Sequence, residues 1–164
     1  MHREEVDQGR PVQDLEPEAL FCIAVIRTWV AARRPDGMPS LDWREVCRRG
    51  ELSEDTVQAF DAFLHTVHRA MRRPLDIRCC TCPQVGRDED LLLALIAALQ
   101  RDDALSALDV LASWLEQPAI MPALPLAMRL AATARTCGIC LRGHTVTQPQ
   151  FATDNLPAEK RIMH

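Results

Sequence analysis

Two short stretches hold the residues most able to do chemistry: RCCTCP at 78–83 and TCGIC at 136–140. Cys137 and Cys140 have the spacing of one half of a zinc site, and Cys80 with Cys82 offers a second pair in a loop setting. Four thiolates would close a tetrahedral site with no position left for water, so such a centre would be structural. Cys80, Cys82, Cys137 and Cys140 are therefore the first candidate metal set, with zinc as the ion. A second set, His65, His68, Cys80 and Cys82, needs only that the chain after the histidines folds back. The ordinary reading of both histidines is a helix boundary, with Asp61 one turn before His65.

Thiol reactivity is the other chemistry available. Arg72, Arg73, Arg78 and Arg87 bracket the first cluster and would favour thiolates, while Asp76 and the acidic run 88–90 oppose them. A bridge between neighbouring Cys79 and Cys80 would be strained. The pair at 137 and 140 has oxidoreductase spacing but is expected to end a helix, whereas such thiols are activated at a helix start. Cys22 and Cys47 lie among apolar neighbours and read as core fillers, and burial is also the ordinary reading of the other five.

Other function classes leave little trace. No nucleophile elbow, phosphate-cradling glycine loop or His-Glu-x-x-His run occurs, so no catalytic or cofactor-binding residue is assigned. Asp88-Glu89-Asp90 is the ordinary acidic opening of a helix. Residues 41–71 read helix, Gly50 turn, helix, as in a helix-turn-helix DNA regulator. The second helix would meet phosphate with Glu51, Ser53, Glu54 and Asp55, so no nucleic-acid partner is expected.

The elements that must position these residues are helical. Aromatics make up 4% of the chain with no tyrosine, and the net charge of −4 supplies no field toward phosphate or an anionic membrane. The acidic, polar start of the chain has no secretory core, which points to the cytoplasm, where seven cysteines stay reduced. Lys160 as the only lysine suggests a GC-rich bacterial coding sequence. The apolar run 19–32 is interrupted by Arg27 and is too short for a membrane span of about 20 residues.

Six helices are expected. The first runs from Glu16-Pro17 to about Arg34; the second is capped by Ser40 and ends at Gly50. The third is capped by Ser53, with Val57, Phe60, Leu64, Val67 and Met71 on one stripe and Phe63 at its flank. The fourth opens at 88–90 and is apolar on all sides over 91–99. The fifth should face Leu105, Leu108, Leu111, Ala112 and Leu115 inward. The sixth should cover 123–136 after an extended or kinked proline segment at 117–125.

If the last three helices alternate in direction, the two cysteine clusters sit roughly 20 Å apart, a helix of about 14 residues at 1.5 Å each. They meet only if the proline segment crosses the bundle. The expected fold is one all-α bundle at 15–142, with the first and fourth helices most buried and flexible tails at 1–14 and 143–164. The expected function is a non-enzymatic cytoplasmic accessory or regulatory protein that binds a protein partner. The alternatives are a zinc-binding or thiol-sensing factor and the DNA regulator. No cofactor is required, zinc being the one the spacing accommodates.

Overall fold

A proline at the first helical position loses no hydrogen bond, and Pro17 opens α1 (Pro17–Ala31) in the computed structural model, which describes residues 9–36, 41–141 and 143–144. Within those residues the chain is all-α: α2 (Trp43–Arg49), α3 (Glu54–Ala70), α4 (Arg87–Gln100), α5 (Ala104–Trp114) and α6 (Gln117–Thr136) follow. There is no sheet among the described residues, only two isolated antiparallel bridges, Pro11 with Gln84 and Met71 with Leu115. None of the described helices is long and apolar enough to cross a membrane.

Local signals set most boundaries. Ser53 caps α3, its hydroxyl accepting from Thr56 N–H at 3.2 Å. Ser40, the expected cap of the second helix, lies outside the described residues; Asp42 performs that role by accepting from Arg44 N–H at 3.0 Å. Val57, Phe60, Phe63, Leu64 and Val67 of α3 are buried as their spacing predicts, while Met71 falls past the helix end. Each large apolar side chain buried in this way contributes about 1.5–3 kcal/mol.

Two helices depart from expectation. In α5 the buried side chains are Ala107, Val110, Leu111 and Trp114, whereas Leu105 is 78% exposed. Trp114 sets that rotation, because its indole N–H donates to buried Asp88 at 2.8 Å and brings the residues three, four and seven positions earlier inward with it. In α6 the proline segment is helical: Pro118 sits in the first turn, where its missing N–H is harmless, and Pro122 and Pro125 lie inside the helix. Both are solvent-exposed, so water can satisfy the carbonyls they orphan, and burial of Ala123, Ala127, Leu130, Ala131 and Ala134 holds the opposite side.

Helix α6 packs on α3, α4 and α5; α4 also packs on α5 and α1, and α1 on α2. Both α1 and α4 are buried around most of their circumference, as expected. Residues 10–14, assigned from sequence to a tail, bind the loop before α4. Val12 N–H donates to Pro83 C=O at 2.8 Å and Val85 N–H to Arg10 C=O at 2.9 Å, and residues Val12–Asp14 form a turn of 3-10 helix. Of the tails expected at the two ends, residues 1–8 and 145–164 lie outside the described residues.

Candidate functional site

Consecutive residues on a helix point about 100° apart, so three acids in a row at a helix start reach three different neighbours. Asp88, Glu89 and Asp90 do this at the start of α4. Glu89, fully buried, receives Arg27 through both oxygens, at 2.8 and 2.9 Å. It also accepts from the backbone N–H of Arg78 at 3.0 Å and of Gly86 at 2.7 Å. Arg27 spends its remaining donors on the carbonyls of Cys82 and Gln84, at 2.8 and 2.7 Å. A buried charge pair survives only when every polar atom around it is satisfied, and here the partners are backbone groups of the cysteine loop itself.

Asp88 takes a bidentate pair from Arg73, both bonds at 2.8 Å, together with Asp76 N–H at 2.6 Å and the Trp114 indole. Asp90 lies 3.0 Å from Arg10 and 3.3 Å from the His144 ring. Gly86 fits where it does because a Cβ there would collide with the Asp76 carbonyl oxygen. The irregular chain from 74 to 86 is thus held by two buried carboxylates. By sequence alone the acidic run reads as an ordinary helix opening; Arg27 inside an apolar run is the signal that one of those acids has a buried cation to meet.

This anchoring titrates. Burial raises the Asp88 carboxyl, but the bonds from Arg73, Asp76 N–H and Trp114 outweigh it and hold it below the ordinary 3.8. Asp90 is likewise raised by burial and brought below that value by His144 and Arg10. A depressed carboxylate contributes stability that is complete above its unfolded pKa and is lost as pH falls through the folded one. The urea midpoint is therefore expected to stay level near neutrality and fall steeply below about pH 4. Asp88→Asn should start from a lower plateau and flatten that fall, which a pH series of urea titrations checks.

The cysteines divide by environment. Cys22 and Cys47 are completely buried as expected, and burial pushes their thiols up to about 12 and about 11. The other five, for which burial was the ordinary reading, lie at or near the surface. In the loop, the Thr81 hydroxyl lowers the Cys79 thiol. Of the four arginines expected to do so, Arg73 pairs with Asp88 and Arg78 with Asp76. Cys80 and Cys82 line an open groove of about 580 Å³ with Pro11, Leu20, Ala24 and Arg27.

The second cluster lies away from the first. Gln100, at the end of α4, donates to Ile139 C=O at 2.8 Å and accepts from Leu141 N–H at 2.8 Å, gripping the chain on both sides of Cys140. Glu89, at the start of the same helix, grips the first cluster, and the rise between them is about 16 Å. The set Cys80, Cys82, Cys137 and Cys140 is accordingly not brought together, and the proline segment, being helical, does not cross the bundle. The set His65, His68, Cys80 and Cys82 is not assembled either. His65 lies 3.1 Å from Asp61, which also accepts from the Trp29 indole at 2.9 Å, and His68 packs edge-on to Trp29. No group of three or more His, Cys, Asp or Glu side chains suited to a metal ion occurs among the described residues.

Cys137 sits differently from what the end of a helix suggests. It caps α6, yet its sulfur lies against the start of α3, accepting from Ser53 N–H at 3.4 Å with the Thr56 hydroxyl at 3.2 Å. Those contacts, Ser53 N–H first and Thr56 second, lower its thiol pKa. Gly138 at φ 86° turns the chain, with Ile139 N–H bonded to Ala134 C=O and Gly138 N–H to Arg135 C=O, and Cys140 follows exposed to solvent. The same contact borders the start of α3: Arg129 pairs with Asp55, and the Thr56 hydroxyl, 3.2 Å from both Thr133 C=O and the Cys137 sulfur, shares its one proton between them, while Ser53, Glu54 and Asp55 stay exposed.

The outer face of α6 is the remaining surface of note. Residues 117–128 carry no charge, and Met121 and Met128, two turns apart, are 65% and 52% exposed with Pro122 and Pro125 between them. No protein-family model, curated protein or solved structure matches the chain.

Proposed function

We propose that this chain is a non-enzymatic accessory or regulatory protein that binds a protein partner through the uncharged outer face of α6. The observation that carries this reading is an exposed helical stripe of methionine and proline, twelve residues long without a charge, whereas α2 and α3 expose Arg44, Arg48, Arg49, Glu54, Asp55 and Arg69. Two interior prolines weaken a helix, and their rings here face solvent rather than the core. Methionine adapts its shape to an apolar partner, and contiguous exposed apolar surface marks interaction sites. The complementary partner is an apolar, uncharged face of another protein, such as one side of an amphipathic helix.

Further support comes from how the titratable groups are used. The acids gathered at the start of α4 are committed to arginines and backbone N–H groups that hold the loop, which leaves them no reacting role. The DNA reading has against it the exposed acids Glu51, Glu54 and Asp55 at the start of α3, which would repel phosphate.

Photo-crosslinking tests the reading. A crosslinking residue at 121 in the chain expressed in its native cells should give a discrete adduct with one other protein. The double substitution Met128→Glu with Pro125→Glu should abolish that adduct while circular dichroism stays helical. Equal capture from position 109, on α5, would overturn the reading, and so would an adduct of the chain with itself.

A further inference from the structure

The TCGIC stretch at 136–140 lies beyond the uncharged run 117–128 of α6. Cys137 is only partly buried, its sulfur rests on the first turn of α3, and Cys140 stands exposed three residues on, past the reversal at Gly138. Backbone N–H and hydroxyl groups aimed at a sulfur stabilise its anion, and a helix start adds its positive end. The chain on either side of Cys140 is fixed by Gln100, while Cys140 itself faces solvent.

We propose that Cys137 and Cys140 form a redox-responsive dithiol, in which Cys137 attacks a low-molecular-weight disulfide and Cys140 resolves the adduct. In the first step the Cys137 thiolate bonds to one sulfur of glutathione disulfide; the S–S bond breaks and one glutathione leaves as thiolate. In the second, Cys140 gives up its proton to solvent and attacks Cys137 sulfur, releasing the other glutathione. The protein loses two hydrogens to a Cys137–Cys140 disulfide, and one disulfide is reduced to two thiols. The step also deprives Ser53 N–H of its anionic acceptor, so oxidation is felt where α3 meets α6. None of this depends on what binds the outer face of α6.

Intact-protein and peptide mass spectrometry after exposure to oxidised glutathione near neutral pH provides the test. The wild-type chain should lose two hydrogens, mapped to the peptide holding both cysteines. Cys140→Ser should stop at one glutathione on Cys137, and Cys137→Ser should react at least about tenfold more slowly at this site. Thr56→Val keeps the thiol but removes a bond to it, so the rate profile should move to higher pH; this holds the proposal open to refutation if Cys137→Ser fails to fold. Cys22 and Cys47 should stay unmodified until denaturant is added. The proposal fails if wild-type protein stops at the mixed adduct, if Cys137→Ser reacts at the wild-type rate, if Thr56→Val leaves the profile unmoved, or if modification goes to residues 79–82 and spares Cys137.

Discussion

Glu89→Ala is expected to lower the unfolding free energy by about 3–5 kcal/mol, the range for removing one partner of a buried ion pair. The guanidinium of Arg27 would remain in the interior, 4% exposed, with its countercharge gone. The N–H groups of Arg78 and Gly86 would lose their acceptor in the same step. Denaturant titration followed by circular dichroism measures the effect. Replacing both members, Arg27→Met with Glu89→Met, should cost clearly less than Glu89→Ala alone, because no charge is then stranded. A loss under about 1 kcal/mol for Glu89→Ala would show that water reaches the pair and that the loop is held by something else.

Trp114→Ala carries the second large expectation, about 3–5 kcal/mol for the loss of a fully packed aromatic. Its ring is 2% exposed at the end of α5, and its N–H is one of the bonds that satisfy Asp88. Trp114→Phe separates the two contributions: most packing stays, the N–H goes, and about 1–3 kcal/mol should be lost. In a double-mutant cycle with Asp88→Asn the two substitutions should couple by about 0.5–3 kcal/mol, since they share one network. Additive losses would mean that the indole bond contributes nothing to holding α5 against α4.

Some of this architecture is legible one residue at a time. Pro17 at a helix start, Ser53 as a cap, Gly138 as a terminator and the stripe on α3 are local rules, and each is obeyed. The rotation of α5 is not local, since Leu105 and Trp114 are both apolar and only the second finds a buried acceptor. The helical state of residues 117–125 also escapes local rules, because two lost hydrogen bonds are offset by alanines buried against α3, α4 and α5. Among the candidate site residues, the spacing of Cys137 and Cys140 was visible, but not that the sulfur at the end of one helix would rest on the start of another.

Composition and periodicity by themselves determined that this chain is a helical bundle with α1 and α4 inside, because burial of apolar faces depends on the order of residue types along the chain. Which charges meet which partners was decided only by tertiary structure. Arg27 and Glu89 are 62 residues apart, and Ser53 and Cys137 are 84 apart. Pairing at such distances follows from how whole helices pack, and no short window of sequence contains that information.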